Sequence, residues 1–281
     1  MNPTTNRQHL WRALIAAVFI ILGFSARAAT YYVATTGVDS SSRTGLNATD
    51  QAWKTVAYAA NTRVLTSGNT ISVGTGTFNE SAAINLTSGV NLVGAGHAST
   101  IVNNGAASTY PSLVFVKSGA AATQTISGIK FEFTNLANTA VIIWVDTTNV
   151  VTVTDCHLIG QGGGVTSEKP YSRIQVLYCK GQGRFSNVAG ARQGPFVNVK
   201  AYGANPGPAS VKVDHCTVTG TGGIKAWSYS GNQTTETFLF TNNKITNVDG
   251  RKSNGAGGPD NSSTDPLNSV MGFYMSKNLP Y

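Results

Sequence analysis

Charged residues are scarce in this sequence, at 11% of its 281 residues, and it has only three cysteines. The low charge excludes a coiled coil, which needs a chain rich in Glu, Lys and Arg. An odd and low cysteine count excludes a small disulfide-dense domain. After residue 24, no apolar run approaches the roughly 18 residues of a membrane-spanning helix. Hydrophobic residues still make up 41% of the chain, so wholesale disorder is excluded as well.

Residues 1–28 have the features of a secretory signal peptide. A basic segment ending at Arg12 precedes an apolar run at 13–24, and Ala26 and Ala28 supply small residues at the −3 and −1 positions. This run is short for a bilayer, although an uncleaved N-terminal anchor is the alternative. We therefore expect a secreted or cell-surface protein with no stable membrane insertion after cleavage. Loss of three arginines with the signal lowers the net charge from +8 to +5.

The segment after the signal predicts one short helix. Trp53, Val56, Ala57 and Ala60 fall at i, i+3, i+4 and i+7, which is one face of a helix. Asp50 is its predicted N-cap. Beyond this segment, helical periodicity gives way to short alternating runs separated by Gly, Asn, Asp or Ser, which are typical of many short strands.

Several of these strands belong to a repeated unit. Each unit has an alternating strand, a polar or aromatic residue, a small or apolar residue and a second short strand. The equivalent small or apolar positions are Ile129, Cys156, Cys179, Val199, Cys216 and Asn243. Their spacing of 17 to 27 residues is in the range of a solenoid with coils of variable length. The cysteines then form one inward column, in which a thiol packs as a small hydrophobe, with a Cys156–Cys179 disulfide as an open alternative.

The repeat predicts an all-β fold, a right-handed parallel β-helix (a solenoid) with a short N-terminal capping helix. An antiparallel sandwich is the alternative, but two-residue hairpin signals between the aligned units are few. The predicted organisation is a signal peptide at 1–28, an N-terminal strand, loop and capping helix at 29–66, β-helix coils at 67–249, and a loop with an incomplete C-terminal coil at 250–281.

Short motifs within residues 30–100 support this fold by comparison with a known family. They are Tyr31-Tyr32-Val33, Trp53-Lys54-Thr55, Gly68-Asn69-Thr70-Ile71, Gly74-Thr75-Gly76-Thr77-Phe78 and Gly89-Val90-Asn91-Leu92-Val93-Gly94. This segment resembles the N-terminal module of secreted right-handed β-helix proteins of the pectate-lyase-like superfamily. The resemblance implies the fold and not one activity, because lyases, hydrolases, epimerases and non-catalytic surface proteins share the scaffold.

One stretch carries the candidate catalytic residues. With Val211 and Val213 facing inward, Lys212 and Asp214 project outward together, and His215 follows at the end of the strand. The stretch resembles the Ile-Asp-His motif of pectate lyases, although Lys212 stands where that motif usually carries Trp, and their Arg-x-Pro-x-x-Arg signature is missing. β-Elimination on a uronan needs a base and a cation. The hypothesis makes Lys212 the base, supported by Asp214 and His215; ordinary β-helix corner chemistry is the alternative.

Basic residues recur at the position after the cysteine column. The residues at this position are Lys130, His157, Lys180, Lys200, Thr217 and Lys244. Like charges on neighbouring strands are unfavourable, so this column predicts binding of an extended polyanion, with Arg173 as a further contact. Solvated lysines that splay apart are the alternative.

The remaining expectations concern metals and partners. Asp39, Asp50 and the loop carbonyls between them are candidate Ca²⁺ ligands, with capping and turn roles as the alternative. Trp144, Trp227 and Tyr229 are candidates for stacking on sugar rings, although the apolar context of Trp144 favours packing. The sequence shows no zinc spacing, phosphate loop or nucleotide fingerprint.

Two functional hypotheses follow from these residues. The first is a secreted β-helix protein that binds an acidic polysaccharide, as a monomer and without nucleic acid, and that either cleaves it as a polysaccharide lyase or only binds it. The second is a non-catalytic cell-surface or matrix β-helix, an adhesin-like or glycan-binding scaffold.

Overall fold

A computed structural model describes most of the chain after the signal. The described residues are 28–63, 65–105, 111–120, 122–133, 141–160, 163–169, 171–183, 196–201, 210–219, 224–228, 237–246 and 273–276. Residues 1–27 of the predicted signal peptide and most of the predicted C-terminal segment lie outside them. No helix within these ranges has the length and apolar character needed to cross a membrane.

The described residues form one helix, α1 (Val56–Thr62), and three parallel sheets. Sheet A consists of β1 (Thr30–Val33), β2 (Thr70–Val73), β5 (Asn91–Gly94), β8 (Gln124–Ser127), β11 (Val150–Thr154), β14 (Arg173–Leu177), β17 (Ser210–Asp214) and β20 (Thr237–Thr241). Sheet B consists of β3 (Gly76–Asn79), β6 (Thr100–Asn103), β9 (Lys130–Phe133), β12 (His157–Gly160), β15 (Lys180–Gly183), β18 (Thr217–Thr219) and β21 (Lys244–Thr246). Sheet C consists of β4 (Ile84–Leu86), β7 (Ser112–Val116), β10 (Val141–Val145), β13 (Gly163–Ser167), β16 (Val197–Ala201), β19 (Ile224–Ser228) and β22 (Phe273–Ser276).

The order of the strands makes this a parallel β-helix. From β2 onward the chain visits sheets A, B and C in turn, and each strand pairs with the strand three places later, as β11 does with β14. The chain therefore winds through seven coils, numbered here from coil 1 (β2–β4) to coil 7 (β20–β22). The predicted all-β parallel β-helix is confirmed, and β1 adds one further strand beside β2.

The predicted cysteine column is confirmed as part of the core. Cys156, Cys179 and Cys216 belong to coils 4, 5 and 6, are at most 1% exposed and carry free thiols. The backbone carbonyls of Cys156 and Cys179 accept hydrogen bonds from Lys180 N and Thr217 N, which holds the three coils in register. The Cys156–Cys179 disulfide, which the sequence left open as an alternative, is not formed.

One assignment in the repeat is wrong. Val199 is buried on sheet C, in the same coil as Cys179, and pairs with Ser167 and Ala226. The step from Cys179 to Cys216 is therefore a single long coil and not two short ones. Inward and outward side chains alternate along the strands of all three sheets, so this pattern alone does not show to which sheet a strand belongs.

Helix α1 caps the first coil, as predicted, but it begins at a different residue. Its N-cap is Thr55, whose side chain accepts a hydrogen bond from Tyr58 N, and not Asp50. Val56, Ala57, Ala59 and Ala60 are buried, and the helix packs on β4 and β2. This apolar face closes the N-terminal end of the core, which a solenoid otherwise exposes.

Candidate functional site

The corner between sheets A and B is built from residues in the left-handed backbone region. They are Gly128, Asp155, Tyr178, His215 and Asn242, with φ between 50° and 65°. Each directly precedes the residue of the cysteine column. A left-handed conformation costs a residue other than glycine roughly 1–2 kcal/mol, and Asn and Asp tolerate it best. The polar or aromatic position of the sequence repeat is therefore a strained corner, which packing and side-chain contacts must hold in place.

Asp214 is the centre of the contacts at this corner. Lys212 Nζ lies 3.6 Å from its Oδ2, and His215 Nδ1 lies 3.0 Å from its Oδ1. Thr241 Oγ1 and Asn242 Nδ2 donate to Oδ1 at 2.7 and 3.1 Å. These contacts, above all the hydrogen bond from Thr241, lower the pKa of Asp214 to about 2. Asp214 is therefore an ionised acceptor, and it joins coil 6 to coil 7.

The structure brings the three predicted catalytic residues together, but in an arrangement typical of a corner. Lys212 would act as a base only from its neutral form, in which the ion pair with Asp214 is lost. The ring of His215 is stacked on Tyr178, with centroids 5.0 Å apart and planes at 24°. The side chains thus support one another, and the catalytic roles of Lys212, Asp214 and His215 stay a prediction.

The basic residues of sheet B form a column in which Lys200 has no part. The register aligns Lys130, His157, Lys180, Thr217 and Lys244 on five consecutive coils, and these residues are the basic column. Lys200 lies in β16 of sheet C, opposite Trp227, so its placement in this column was wrong. Arg173 begins β14 of sheet A, where its Nε donates to Thr148 O at 3.2 Å, and it is not part of the column either.

Charge alternates along the basic column. Lys130 Nζ lies 2.6 Å from Glu132 Oε1. His157 is half-buried, and its pKa is lowered, first by burial and then by Lys130, His97 and Lys180. A neutral His157 and Thr217 therefore separate the three lysines. Since neighbouring strands are about 4.8 Å apart, successive ammonium groups recur roughly every 10 Å, and the repulsion expected from lysines on adjacent coils is relieved.

A glycine allows a second histidine to reach this column. A Cβ at Gly128, the corner residue of coil 3, would lie 2.7 Å from Gly94 O and 3.2 Å from Gly96 N, so the glycine lets the loop that carries His97 approach the corner. His97 Nδ1 lies 2.9 Å from Asp155 Oδ1, and its ring meets the His157 ring edge to face at 6.3 Å. This contact spans three coils and was not predicted, because nothing near His97 in the sequence indicates Asp155.

Asp39, a candidate Ca²⁺ ligand, has a structural role in the described contacts. Its Oδ1 accepts from Lys54 N and Thr55 N at 2.8 and 3.0 Å, and its Oδ2 accepts from Thr55 Oγ1 at 2.7 Å. Asp39 thereby fixes the start of α1. Asp50 is exposed. In the described ranges, no group of three or more His, Cys, Asp or Glu residues could hold a metal ion, so calcium binding at Asp39 and Asp50 stays a prediction.

The outward face of sheet C is a candidate site that the sequence interpretation missed. Phe115, Trp144, Thr166, Asn198 and Lys225 occupy one column on successive coils. Thr166 is only 2% exposed. Among the described residues, neither its Oγ1 nor Asn198 Oδ1, which is also buried, has a hydrogen-bond partner. Trp144, which was predicted to be packed, is half-buried beside them. We call this set the sheet C column.

Long connections precede strands of sheet C, and an ion pair follows two of these strands. The chain runs from Gly183 to Val197 between β15 and β16, whereas two residues link β11 to β12. Just after β10 and β13, Lys169 Nζ lies 3.2 Å from Asp146 Oδ1. An aromatic ring, unpartnered buried polar atoms and a charged border are the elements of a ligand site. The signal in the sequence was the position of the longest connections, which marks the face they border.

The described strands thus form a β-helix that carries three distinct groups of residues: the contacts around Asp214 at the corner, the basic column and the sheet C column. No protein-family model matches the chain, and no curated protein matches it. Among solved structures, the chain is similar to pectin methylesterase from carrot, with 14% identity, 90% of each chain covered and a TM-score of 0.32. A likeness of this size carries no argument about fold or function.

Proposed function

We propose that this β-helix protein binds a polysaccharide along the outward face of sheet C. The observation that carries the proposal is the buried Thr166 Oγ1, which has no hydrogen-bond partner among the described residues, with Asn198 Oδ1 in the same state on the next coil. A buried polar group without a hydrogen bond costs roughly 1–3 kcal/mol. A ligand rich in hydroxyl groups would supply the missing partners, because a hydroxyl both donates and accepts.

The neighbours of these two atoms fit a chain of sugar rings. Trp144, one coil away from Thr166, offers a large apolar surface with a polar N–H. The column repeats about every 4.8 Å along the axis of the solenoid, so an extended polymer can run parallel to it across several coils. The net positive charge expected after signal cleavage supports an acidic polymer. An extracellular polysaccharide also agrees with the predicted secretion signal.

Binding to a panel of polymers tests this proposal. We expect affinity electrophoresis through pectate, alginate or chondroitin to retard the mature protein, and neutral dextran to retard it less. Trp144→Ala should weaken binding at least tenfold. Thr166→Val should weaken it several-fold, because the valine keeps the shape of the side chain but cannot pair with a ligand hydroxyl.

The matched control is Thr152→Val, the same substitution at a half-buried outward position of sheet A. This variant should bind like the wild type. If Trp144→Ala and Thr166→Val remain folded and bind as tightly as Thr152→Val, the sheet C column is not the binding site.

Cleavage by β-elimination is the second candidate function. Its support is the position of Lys212 beside Asp214 and His215 on the outer surface. Incubation with each uronan, with and without Ca²⁺, would reveal a lyase by the absorbance of the unsaturated product. Lys212→Ala should abolish that absorbance if Lys212 is the base. Binding without new absorbance on any uronan would favour the non-catalytic scaffold.

A further inference from the structure

We propose that the basic column of sheet B binds a second, separate polyanion, a sulfated polysaccharide, and takes up a proton at His157 when it binds. The column lies on a different sheet from Trp144 and Thr166, so this inference does not depend on the function proposed for sheet C. It depends on the register of five coils and on the groups that surround His157.

Two lysines of the basic column are available to contact a ligand. Lys180 and Lys244 are exposed, and no ion pair ties either of them to a carboxylate in the described part of the chain. Lys130 is held by Glu132. With Thr217 between them, Lys180 and Lys244 are two coils, or roughly 10 Å, apart. A linear polyanion that lies along the solenoid axis could contact both lysines without bending.

His157 lies inside this row of charge. Lys130 and Lys180 flank it on the adjacent strands, and Gln182 forms a side-chain hydrogen bond with it. His97 meets its ring from the loop after β5. Asp155, which pairs with His97, precedes His157 by two residues and lies at the corner between sheets A and B. Glu132, which pairs with Lys130, is the one other carboxylate that the described residues place on the neighbouring strands.

A bound polyanion would reverse the electrostatic environment of His157. In the free protein, burial and the neighbouring cations lower its pKa, so the imidazole is neutral. Sulfate groups along the column would offset the two lysines and favour the imidazolium. By linkage, binding then draws one proton from solution, and the affinity rises as the pH falls.

The surroundings favour a polysaccharide over a nucleic acid. Within the described residues, the two outward columns of sheet B include no Trp, Tyr or Phe for bases to stack on. The positions beside the basic column hold Gln182, Thr219 and Thr246 on coils 5 to 7. Their amide and hydroxyl groups match the hydroxyl groups of a sugar chain.

Calorimetry with dextran sulfate tests the inference, because its sulfate esters stay ionised throughout and any pH dependence belongs to the protein. We expect tighter binding at pH 5.5 than at pH 8, and uptake of up to one proton between them, measured in two buffers of different ionisation enthalpy. His157→Gln should abolish the uptake and leave the affinity at pH 8 unchanged. Lys180→Gln and Lys244→Gln should each weaken binding and flatten its salt dependence.

A control and a comparison separate this inference from its alternatives. Lys54→Gln, which removes an exposed lysine outside the column, should keep the affinity and the proton uptake of the wild type. The two proposals fail separately: if the sheet C proposal is wrong, Trp144→Ala and Thr166→Val bind pectate like the wild type, whereas if this inference is wrong, Lys180→Gln and Lys244→Gln bind dextran sulfate like the wild type. The inference is overturned if dextran sulfate does not bind at low ionic strength, if His157→Gln keeps the uptake, or if single-stranded DNA of equal charge binds more tightly.

Discussion

Replacing Glu80 should change how the stability of the protein depends on pH. Glu80 is fully buried under α1, where its Oε1 and Oε2 accept from Val56 N and Ala57 N at 2.9 and 2.8 Å. These two bonds favour the carboxylate, but burial opposes it more strongly and Asp39 adds to the effect. Together they raise the pKa of Glu80 from 4.5 to about 7.

The raised pKa of Glu80 determines whether the stability of the protein rises or falls with pH. Between pH 4.5 and about 7, the folded protein holds a proton that the unfolded chain has released. The stabilisation is therefore complete below pH 4.5 and is lost as the pH rises through about 7. At 1.36 kcal/mol per pKa unit, Glu80 contributes a fall in unfolding free energy of up to about 3 kcal/mol between pH 4.5 and 8.

Urea denaturation of the wild type and of Glu80→Gln across this pH range isolates the effect. The amide does not titrate, so the wild type should lose more stability than the variant as the pH rises, even if the lost acceptor destabilises the variant at every pH. Asp50→Asn, a carboxyl-to-amide change on the exposed loop, should follow the wild-type profile. A constant difference between wild type and Glu80→Gln from pH 4.5 to 8 would refute the reasoning.

Three further predictions test the core and the N-terminal cap. A Cβ added at Gly181 would lie 2.4 Å from Phe196 Cδ2, so Gly181→Ala should cost about 1–3 kcal/mol in chemical denaturation, and Phe196→Leu should relieve part of that cost; strictly additive effects would show that the ring does not fill this space. Hydrogen bonds between neighbouring thiols, and then burial, raise the pKa of Cys179 and Cys216. A thiol reagent should therefore modify the cysteines only after unfolding, and fast labelling of the native protein would contradict the column. Asp39→Asn should lower the melting temperature equally with and without Ca²⁺; a calcium-induced rise in the wild type that the variant lacks would instead support the metal assignment.

The sequence predicted the elements that repeat within one sheet better than the relation between sheets. The cysteines lie at equal positions of coils 4 to 6 because the same short corner precedes each of them, and that corner is local in sequence. Val199 was misplaced because an alternating strand of sheet C has the same period as one of sheet B. Coil length, which distinguishes the two cases, is set by connections with no pattern of their own.

The candidate sites show the same limit. Lys212 and Asp214 are two residues apart on one strand, so their proximity followed from strand geometry. The sheet C column places Thr166 beside Trp144 and Asn198, which belong to other coils. The contact between His97 and Asp155 depends on the glycine of the coil between them. A solenoid brings such residues together only through its register, which the sequence fixes coil by coil.

The contacts of Asp214 also bear on where a reaction can occur on this β-helix. Its carboxylate holds groups from coils 6 and 7 next to two residues in the left-handed region, His215 and Asn242. A reaction that used Lys212 or His215 would have to disrupt contacts that stabilise this strained corner. At the sheet C column the proposed ligand would act differently, because Thr166 Oγ1 and Asn198 Oδ1, which have no partner among the described residues, would gain hydrogen bonds from it. Binding there would add contacts, whereas a reaction at the corner would remove them.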